Sequence, residues 1–323
     1  MKGPLMRGRP HKRVSLRGSA LYKITSPAML ARRLCISPHM LNYLLAHADE
    51  NYCVRLDRKS GRLIEEPKHL LKRVHARIAW LLGQIETPNY LHSGVKKRSY
   101  VTNAAGHSIS GGGIKLDVRK FFPSVRAAAV CHFFADVMQY PMDVASRMTK
   151  MLTTGGHLPT GGNASCILSF WAYKDMFDEI AALAAERGCH FTLYVDDMTI
   201  TGAFATRAMQ HAARNIIGRY RLRAHKNKVF ASGQPRVVTG VAVTSRGREL
   251  PNRRARAIVD MRAEIAGAAT DAQRLDLMPQ LIGRLSEAAE VDDRWDPGKR
   301  AAVNMRRSIK ARAQCRPRMA PTP

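Results

Sequence analysis

Hydrophobic positions recur at helical spacing in LLKRVHARIAWLLGQI, residues 70–85. Leu71, Val74, Ile78, Leu81, Leu82 and Ile85 share one face there, with Lys72, Arg73 and Arg77 largely elsewhere, which predicts an amphipathic helix. Residues 26–48 read as two short helices, with Ser26 and Ser37 as N-caps and a proline in each first turn. That pattern fits a helix-turn-helix as well as two helices packing on a core. NYCVRLDRKSGRLIEEP reads as a β-hairpin turning at Ser60-Gly61. CHFTLYVDDMTITG, residues 189–202, alternates apolar positions on both sides of Asp196-Asp197, which predicts a second hairpin with two carboxylates at its tip. GIKLDVRKFFPSV, residues 113–125, places Asp117 on a short apolar strand before an aromatic pair and Pro123. Residues 156–170 form a Gly-rich turn entering an apolar helix, and HKNKVFASGQPRVVTGVAV, residues 225–243, is a basic turn followed by a β-rich run. From Asn252 onward the chain reads almost wholly helical, and no internal repeat is visible. The fold class expected is α+β.

Charge changes the picture. The 323 residues carry 53 Lys+Arg against 25 Asp+Glu, a formal net charge of +28, with 45% hydrophobic residues. The chain is therefore globular in composition and suited to a polyanion, nucleic acid ahead of an acidic membrane surface. No acid precedes Asp49 or follows Asp296, so both ends read as basic arms suited to phosphate, with residues 1–18 expected to be flexible. No apolar run reaches the length of a membrane span, and no apolar stretch follows the basic N-terminus as in a secretory signal. The six cysteines are scattered without a C-x-x-C pair, which predicts reduced thiols rather than a zinc site or disulfide framework. A cytoplasmic protein with no membrane partner is expected.

The acids that remain are placed tellingly. A strand bearing Asp117 beside a hairpin bearing Asp196 and Asp197 would gather like charges on a rigid sheet. Such a cluster is costly unless cations neutralise it. Hard carboxylate oxygens suit Mg²⁺, and two Mg²⁺ ions would activate a hydroxyl and stabilise a departing pyrophosphate. The chemistry expected is nucleotidyl transfer.

In order and content these segments resemble a reverse transcriptase, and more narrowly a bacterial retron reverse transcriptase, from about Ser26 to about Ile309. The Asp117 strand resembles the first catalytic motif of that family, and Tyr194-Val195-Asp196-Asp197 its Tyr-x-Asp-Asp box. LPTGGNAS, with Thr160 and Gly161, resembles the Leu-Pro-x-Gly segment that shapes the nucleotide pocket. Arg62 to Pro67 resembles the R-x-x-x-x-P element whose arginine contacts the incoming triphosphate. Phe122 falls where the family has an aromatic gate against a ribose 2′-hydroxyl, and Lys228 where it has a basic residue near the triphosphate. Asn103 to His107 resembles the retron N-A-x-x-H element, and Val238-Thr239-Gly240 the retron V-T-G triplet. Both are associated in retrons with recognition of the cognate RNA. Val195, Thr160 and Lys120 depart from the residues common in the family, and none of these changes removes a metal ligand.

The resemblance implies a right-hand polymerase. Fingers with the N-terminal helices would span 19–112, a palm with an antiparallel sheet 113–243, and a helical thumb with a basic tail 244–323. Asp117, Asp196 and Asp197 would hold the metals, with Val118 lending its backbone carbonyl. The partners implied are a structured noncoding RNA, its cDNA, dNTPs and an effector or toxin protein, in antiphage defence. The branched RNA–DNA product, msDNA, would be primed from an RNA 2′-hydroxyl. The rival readings are a diversity-generating or group II intron type reverse transcriptase, and a non-catalytic RNA- or DNA-binding protein that restrains an effector. A DNA-binding regulator built on residues 26–48 is more distant.

Overall fold

Two serines start the first helices. Ser26 Oγ accepts from Met29 N at 3.2 Å to open α1 (Pro27–Leu34), and Ser37 Oγ accepts from Met40 N at 3.1 Å to open α2 (Pro38–Ala46). Caps of this kind contribute about 1 kcal/mol each. The computed structural model describes residues 13–58 and 60–315, and the side chains of 313–315 are not among those described. Most of the expected N-terminal arm and the end of the basic tail lie outside these residues. Arg13 to Gly18 departs from the flexible arm expected. Val14 N donates to Gln84 O at 3.0 Å, Glu86 N donates to Val14 O at 2.9 Å, and Leu16–Gly18 is a 3-10 turn. A single extended residue thus gains two backbone bonds that composition alone does not reveal.

Two compact units form, one from the described residues of Met1–Ser99 with Gly112–Val229, the other from Tyr100–Gly111 with the described residues of Phe230–Pro323. In the first, β1 (Tyr52–Asp57) and β2 (Arg62–Pro67) make the expected hairpin, closed by Gly61 N donating to Asp57 O at 2.8 Å. Helix α3 (His69–Leu82) buries Leu71, Val74, Ile78, Leu81 and Leu82, and Ile85 is buried just beyond its end. After α4 (Tyr100–Ala105), which belongs to the second unit, come β3 (Gly112–Val118), α5 (Phe121–Ser124), α6 (Ala127–His132) and α7 (Met142–Leu152). Then follow α8 (Ser165–Ala172), α9 (Lys174–Ala185), β4 (His190–Tyr194), β5 (Asp197–Gly202), α10 (Arg207–Arg219) and β6 (Ala224–Phe230).

The sheet that matters has strand order β4-β5-β3-β6, with β3 and β4 both antiparallel to β5. Side chains alternate across it. Ile114 and Leu116 of β3 pair with Ile200 and Met198 of β5, and those in turn with Phe191 and Leu193 of β4, so one face is wholly apolar and buried. That face belongs to the same core as Phe170, Phe177 and Ile217 of α8, α9 and α10. Lys115, Asp117, Asp197 and Thr199 fall on the other face.

The second unit adds a sheet of β7 (Arg236–Val238), β8 (Val241–Thr244) and β9 (Gly247–Glu249), then α11 (Asn252–Gly267), α12 (Asp271–Val291) and α13 (Asp296–Cys315). Thr270 and Gln273 form a reciprocal capping box at the start of α12. Ile258, Met261, Ile265, Met278, Leu281 and Leu285 make the core between these helices. A separate cluster packs Val101 and Ala104 of α4 on Val238, Val241, Val243 and Val291. That apolar contact puts residues 100–111 and 230–243 in one unit, whereas the sequence places them in fingers and palm. The expected boundary at 243/244 falls inside β8. Cys35, Cys53, Cys131, Cys166 and Cys189 are free thiols. No described helix is long and apolar enough to cross a membrane.

Ile78→Ala, at a fully buried site on α3, is expected to cost about 2–5 kcal/mol in urea unfolding. Arg73→Ala on the exposed face of the same helix should stay within about 0.5 kcal/mol.

Candidate active site

Register brings the three predicted carboxylates to one place. Asp117 is the cross-strand partner of Asp197, and Asp197 is also the partner of Tyr194. The β4–β5 connection is therefore the two residues Val195 and Asp196. Only Asp196 stands at the tip; Asp197 is already the first residue of β5. Val195 has φ +60°, the positive value that a two-residue turn of this kind needs and a β-branched side chain resists. Val195 N donates to Ser93 Oγ at 2.8 Å. The segment before Ser93 runs along β4, with Leu193 N donating to Tyr90 O at 2.7 Å and His92 N donating to Leu193 O at 2.8 Å. The strained turn is clamped from outside.

Each carboxylate has a distinct environment. Asp197 Oδ2 lies 2.7 Å from Lys115 Nζ, while Asp197 Oδ1 is buried with no hydrogen-bond partner. Burial pushes the Asp197 carboxyl up, Lys115 pulls it down and Asp117 opposes that pull. Burial also pushes Asp196 up to about 6, reinforced by Asp117 and Asp197 and countered by its own backbone N–H and by Arg62. Asp117 Oδ1 lies 3.2 Å from His225 Nδ1 on β6. This is ion-pair distance for a protonated ring, but His225 Nδ1 makes no aligned hydrogen bond. Lys115 and His225 were not anticipated from the sequence. Lys115 could have been found, because two residues from Asp117 on a strand means the same face; His225 and Ser93 left no local signal.

Among the described residues, no three His, Cys, Asp or Glu side chains are gathered around a single ion position. The donors nevertheless fit a hard divalent cation: three carboxylates, an orphaned buried Oδ1, and two ligands now turned to Lys115 and His225. Asp117, Asp196 and Asp197 are the residues that would hold it. Val118, the residue after Asp117, is buried in the core.

The pocket loop is fastened to the first hairpin. Glu65 of β2 donates its N–H to Thr160 O at 2.8 Å, and Thr160 N donates to Glu65 Oε2 at 3.3 Å. His157 Nε2 sits 3.1 Å from both Glu65 carboxylate oxygens. Gly161 has φ +128°, and a Cβ there would lie 3.2 Å from Glu65 O, so the loop can approach β2 this closely only with glycine. Arg62, at the start of the same strand, is exposed and acts electrostatically on Asp196. Phe122 is half-buried, its ring centroid 5.9 Å from that of the buried Phe121. Lys228 is exposed on β6 and forms no ion pair among the described residues; His225 is the β6 residue that reaches a carboxylate.

The remaining predicted residues meet in the second unit. Asn103 Nδ2 donates to Thr239 Oγ1 at 3.2 Å, joining the N-A-x-x-H and V-T-G segments. Asn103, His107 and Val238 are buried; Thr239 and Gly240 are half-buried.

The chain matches four curated retron reverse transcriptases at 24–30% identity. By sequence it is similar to retron reverse transcriptases. The retron Se72 reverse transcriptase of Salmonella heidelberg is 30% identical over 148 residues, 44% of this chain and 38% of that protein. The retron Mx65 reverse transcriptase of Myxococcus xanthus is 29% identical over 213 residues, 58% of this chain and 50% of that protein. The retron Ec86 reverse transcriptase of Escherichia coli is 26% identical over 221 residues, 65% of this chain and 68% of that protein. The matches with the first two thus span half or less of those retron proteins' lengths. No family model matches the chain.

Two measurements test the electrostatics of this carboxylate site. With its carboxyl held up at about 6 in the folded chain, against the ordinary 3.8 of an aspartate, Asp196 binds its proton more tightly in the native state. Its contribution to stability is therefore full below about pH 4 and is lost as pH rises to about 6. Compared with Asp196→Asn in metal-free buffer, the wild type should lose relative stability across that window and level off above it. Lys115→Met strands a mostly buried Asp197 charge, and should cost about 1–3 kcal/mol in urea unfolding at pH 8. That loss should shrink on acidification as Asp197 takes up a proton.

Proposed function

We propose that this chain is an RNA-directed DNA polymerase of the retron type, copying a structured noncoding RNA into single-stranded DNA. The observation that carries the reading is the register setting Asp117 against Asp197, with Asp196 on the adjoining turn. In the reaction, an oxygen of the primer hydroxyl attacks the α-phosphorus of a dNTP. The bond to pyrophosphate breaks, and the hydroxyl proton leaves to solvent. Two Mg²⁺ ions held by the three aspartates and the Val118 carbonyl would supply activation of that hydroxyl and charge stabilisation of the departing pyrophosphate.

The protein's own residues then divide the remaining work. Arg62 offers its guanidinium fork to the triphosphate, and Lys228 adds positive charge from β6. Thr160 and Gly161, pinned to β2 by Glu65, form the nucleotide floor. Phe122 rests on Phe121 and closes the space a ribose 2′-hydroxyl would take. Lys115 and His225 hold Asp197 and Asp117 in place when no cation does. On this reading the first unit supplies fingers and palm and the helices of the second a thumb. A thumb grips an RNA–DNA duplex by shape and phosphates.

The four relatives all carry retron names, which favours this type over the diversity-generating and intron types. With that type come a branched msDNA product, a cognate RNA, an effector protein and a part in antiphage defence, all as proposals. The intact carboxylates weigh against a purely non-catalytic binder.

Primer extension on poly(rA)/oligo(dT) with Mg²⁺ tests the reading. The wild type should make DNA, and Asp196→Asn with Asp197→Asn should reduce the rate to background; cDNA from that double variant would sink the assignment. Phe122→Ala should raise ribonucleotide relative to deoxyribonucleotide incorporation at least tenfold, read from single-nucleotide addition on the same template with UTP and dUTP.

A further inference from the structure

The V-T-G turn is built around an arginine that the sequence motif does not contain. Thr239 and Gly240 are the two central residues between β7 and β8, with φ +46° and +85°, the pair of positive values that a tight hairpin turn uses. Asn103, wholly buried, donates to Thr239 Oγ1, and that hydroxyl donates to Tyr100 O at 3.0 Å. The Tyr100 hydroxyl donates to Glu287 Oε1 at 3.3 Å, and the same oxygen accepts from Arg254 Nη1 at 2.8 Å. The Arg254 guanidinium carbon lies 6.0 Å from the Tyr100 ring centroid. A Cβ on Gly240 would sit 2.9 Å from Arg254 Nη2. Four stretches of chain thus converge on one guanidinium, whose side chain remains 40% exposed.

Asn103, His107 and Val238 are buried and the Thr239 hydroxyl is already bonded to Asn103 and Tyr100, so these motif side chains are poorly placed to touch a macromolecule. Arg254 is well placed. Its fork has five donors, and one nitrogen serves Glu287. Glu287 and Tyr100 hold it in a fixed orientation, which a phosphate contact exploits. Arg253 beside it is exposed, and no acid occurs between Glu249 and Asp260. We propose that Arg254 contacts a phosphate of the bound RNA, and that Asn103, Thr239 and Gly240 act as positioning residues that hold it there. This deepens the RNA-directed reading above and rests on it for the identity of the partner.

The probe is the RNA that co-purifies with the wild-type protein, transcribed in vitro and titrated at several salt concentrations. Arg254→Ala should weaken binding about tenfold and lower the slope of log affinity against log salt by about one. Arg254→Lys should restore the slope. Gly240→Ala, which pushes the guanidinium aside, should lose affinity comparably. Asn103→Ala should add no loss in an Arg254→Ala background. Wild-type affinity and slope in Arg254→Ala, or additive losses in the Asn103→Ala, Arg254→Ala pair, would overturn the proposal. Arg254→Ala truncates a half-exposed side chain and leaves the buried Asn103–Thr239 bond intact, so it decides the matter even where a variant at Asn103 fails to fold. Wild-type extension of poly(rA)/oligo(dT) is scored separately: its failure removes the polymerase reading without altering the binding comparison.

Discussion

Two carboxylates directly across an antiparallel pair repel, and the arrangement of the first unit follows from having to hold them there. Like charges at such a position destabilise a sheet, so something else has to fix the register of β3 on β5. The opposite face supplies it. Ile114 and Leu116 meet Ile200 and Met198 there, all buried. A slip of one residue would carry this whole apolar set to the polar face and the acids into the core. Burial of the apolar face and opposition of the aspartates are thus one constraint seen from two sides.

The turn that completes the site is also held against its own preference. Val195 adopts a left-handed backbone that costs on the order of 1–3 kcal/mol. Two backbone bonds between residues 90–92 and Leu193, with the Ser93 hydroxyl accepting from Val195 N, over-determine the end of β4. Strain fixed this way keeps Asp196 at the tip rather than letting the turn relax and widen. On the other side of the pocket loop, Glu65 does similar work, bonding Thr160 through both backbone and side chain.

How much of this could be read from the sequence depended on whether the signal was local. The face of α3, the two serine caps, both hairpins and the three aspartates follow from periodicity and short-range spacing. The tie of Val14 to Gln84 and Glu86 does not, because nothing near Val14 announces a partner seventy residues away. Ser93 and His225 were missed for the same reason: their importance comes from what the topology sets beside them. The compact units differ from the expected division where α4, six residues long, joins a sheet more than a hundred residues later through Val101 and Ala104. That Asn103 and Thr239 are bonded to each other, with Asn103 wholly buried, is a tertiary fact that neither motif announces.

A chain with a net charge of +28 would be expected to drown a small acidic centre. Instead its cations are rationed at the site. Lys115 lies at ion-pair distance from Asp197 and His225 3.2 Å from Asp117, while Arg62 acts on Asp196 only through space. Three carboxylates thus share two basic side chains at contact distance. Burial makes that imbalance expensive, which is why Asp196 holds its proton so far above the usual carboxylate range. On the proposed reading a divalent cation would repay the desolvation already incurred and favour the ionised Asp196 carboxylate. The surplus of positive charge elsewhere then has a different role. On the proposed reading it would draw a polyanion to the protein, and the deficit at Asp117, Asp197 and the adjoining Asp196 turn would select the place where its end is held.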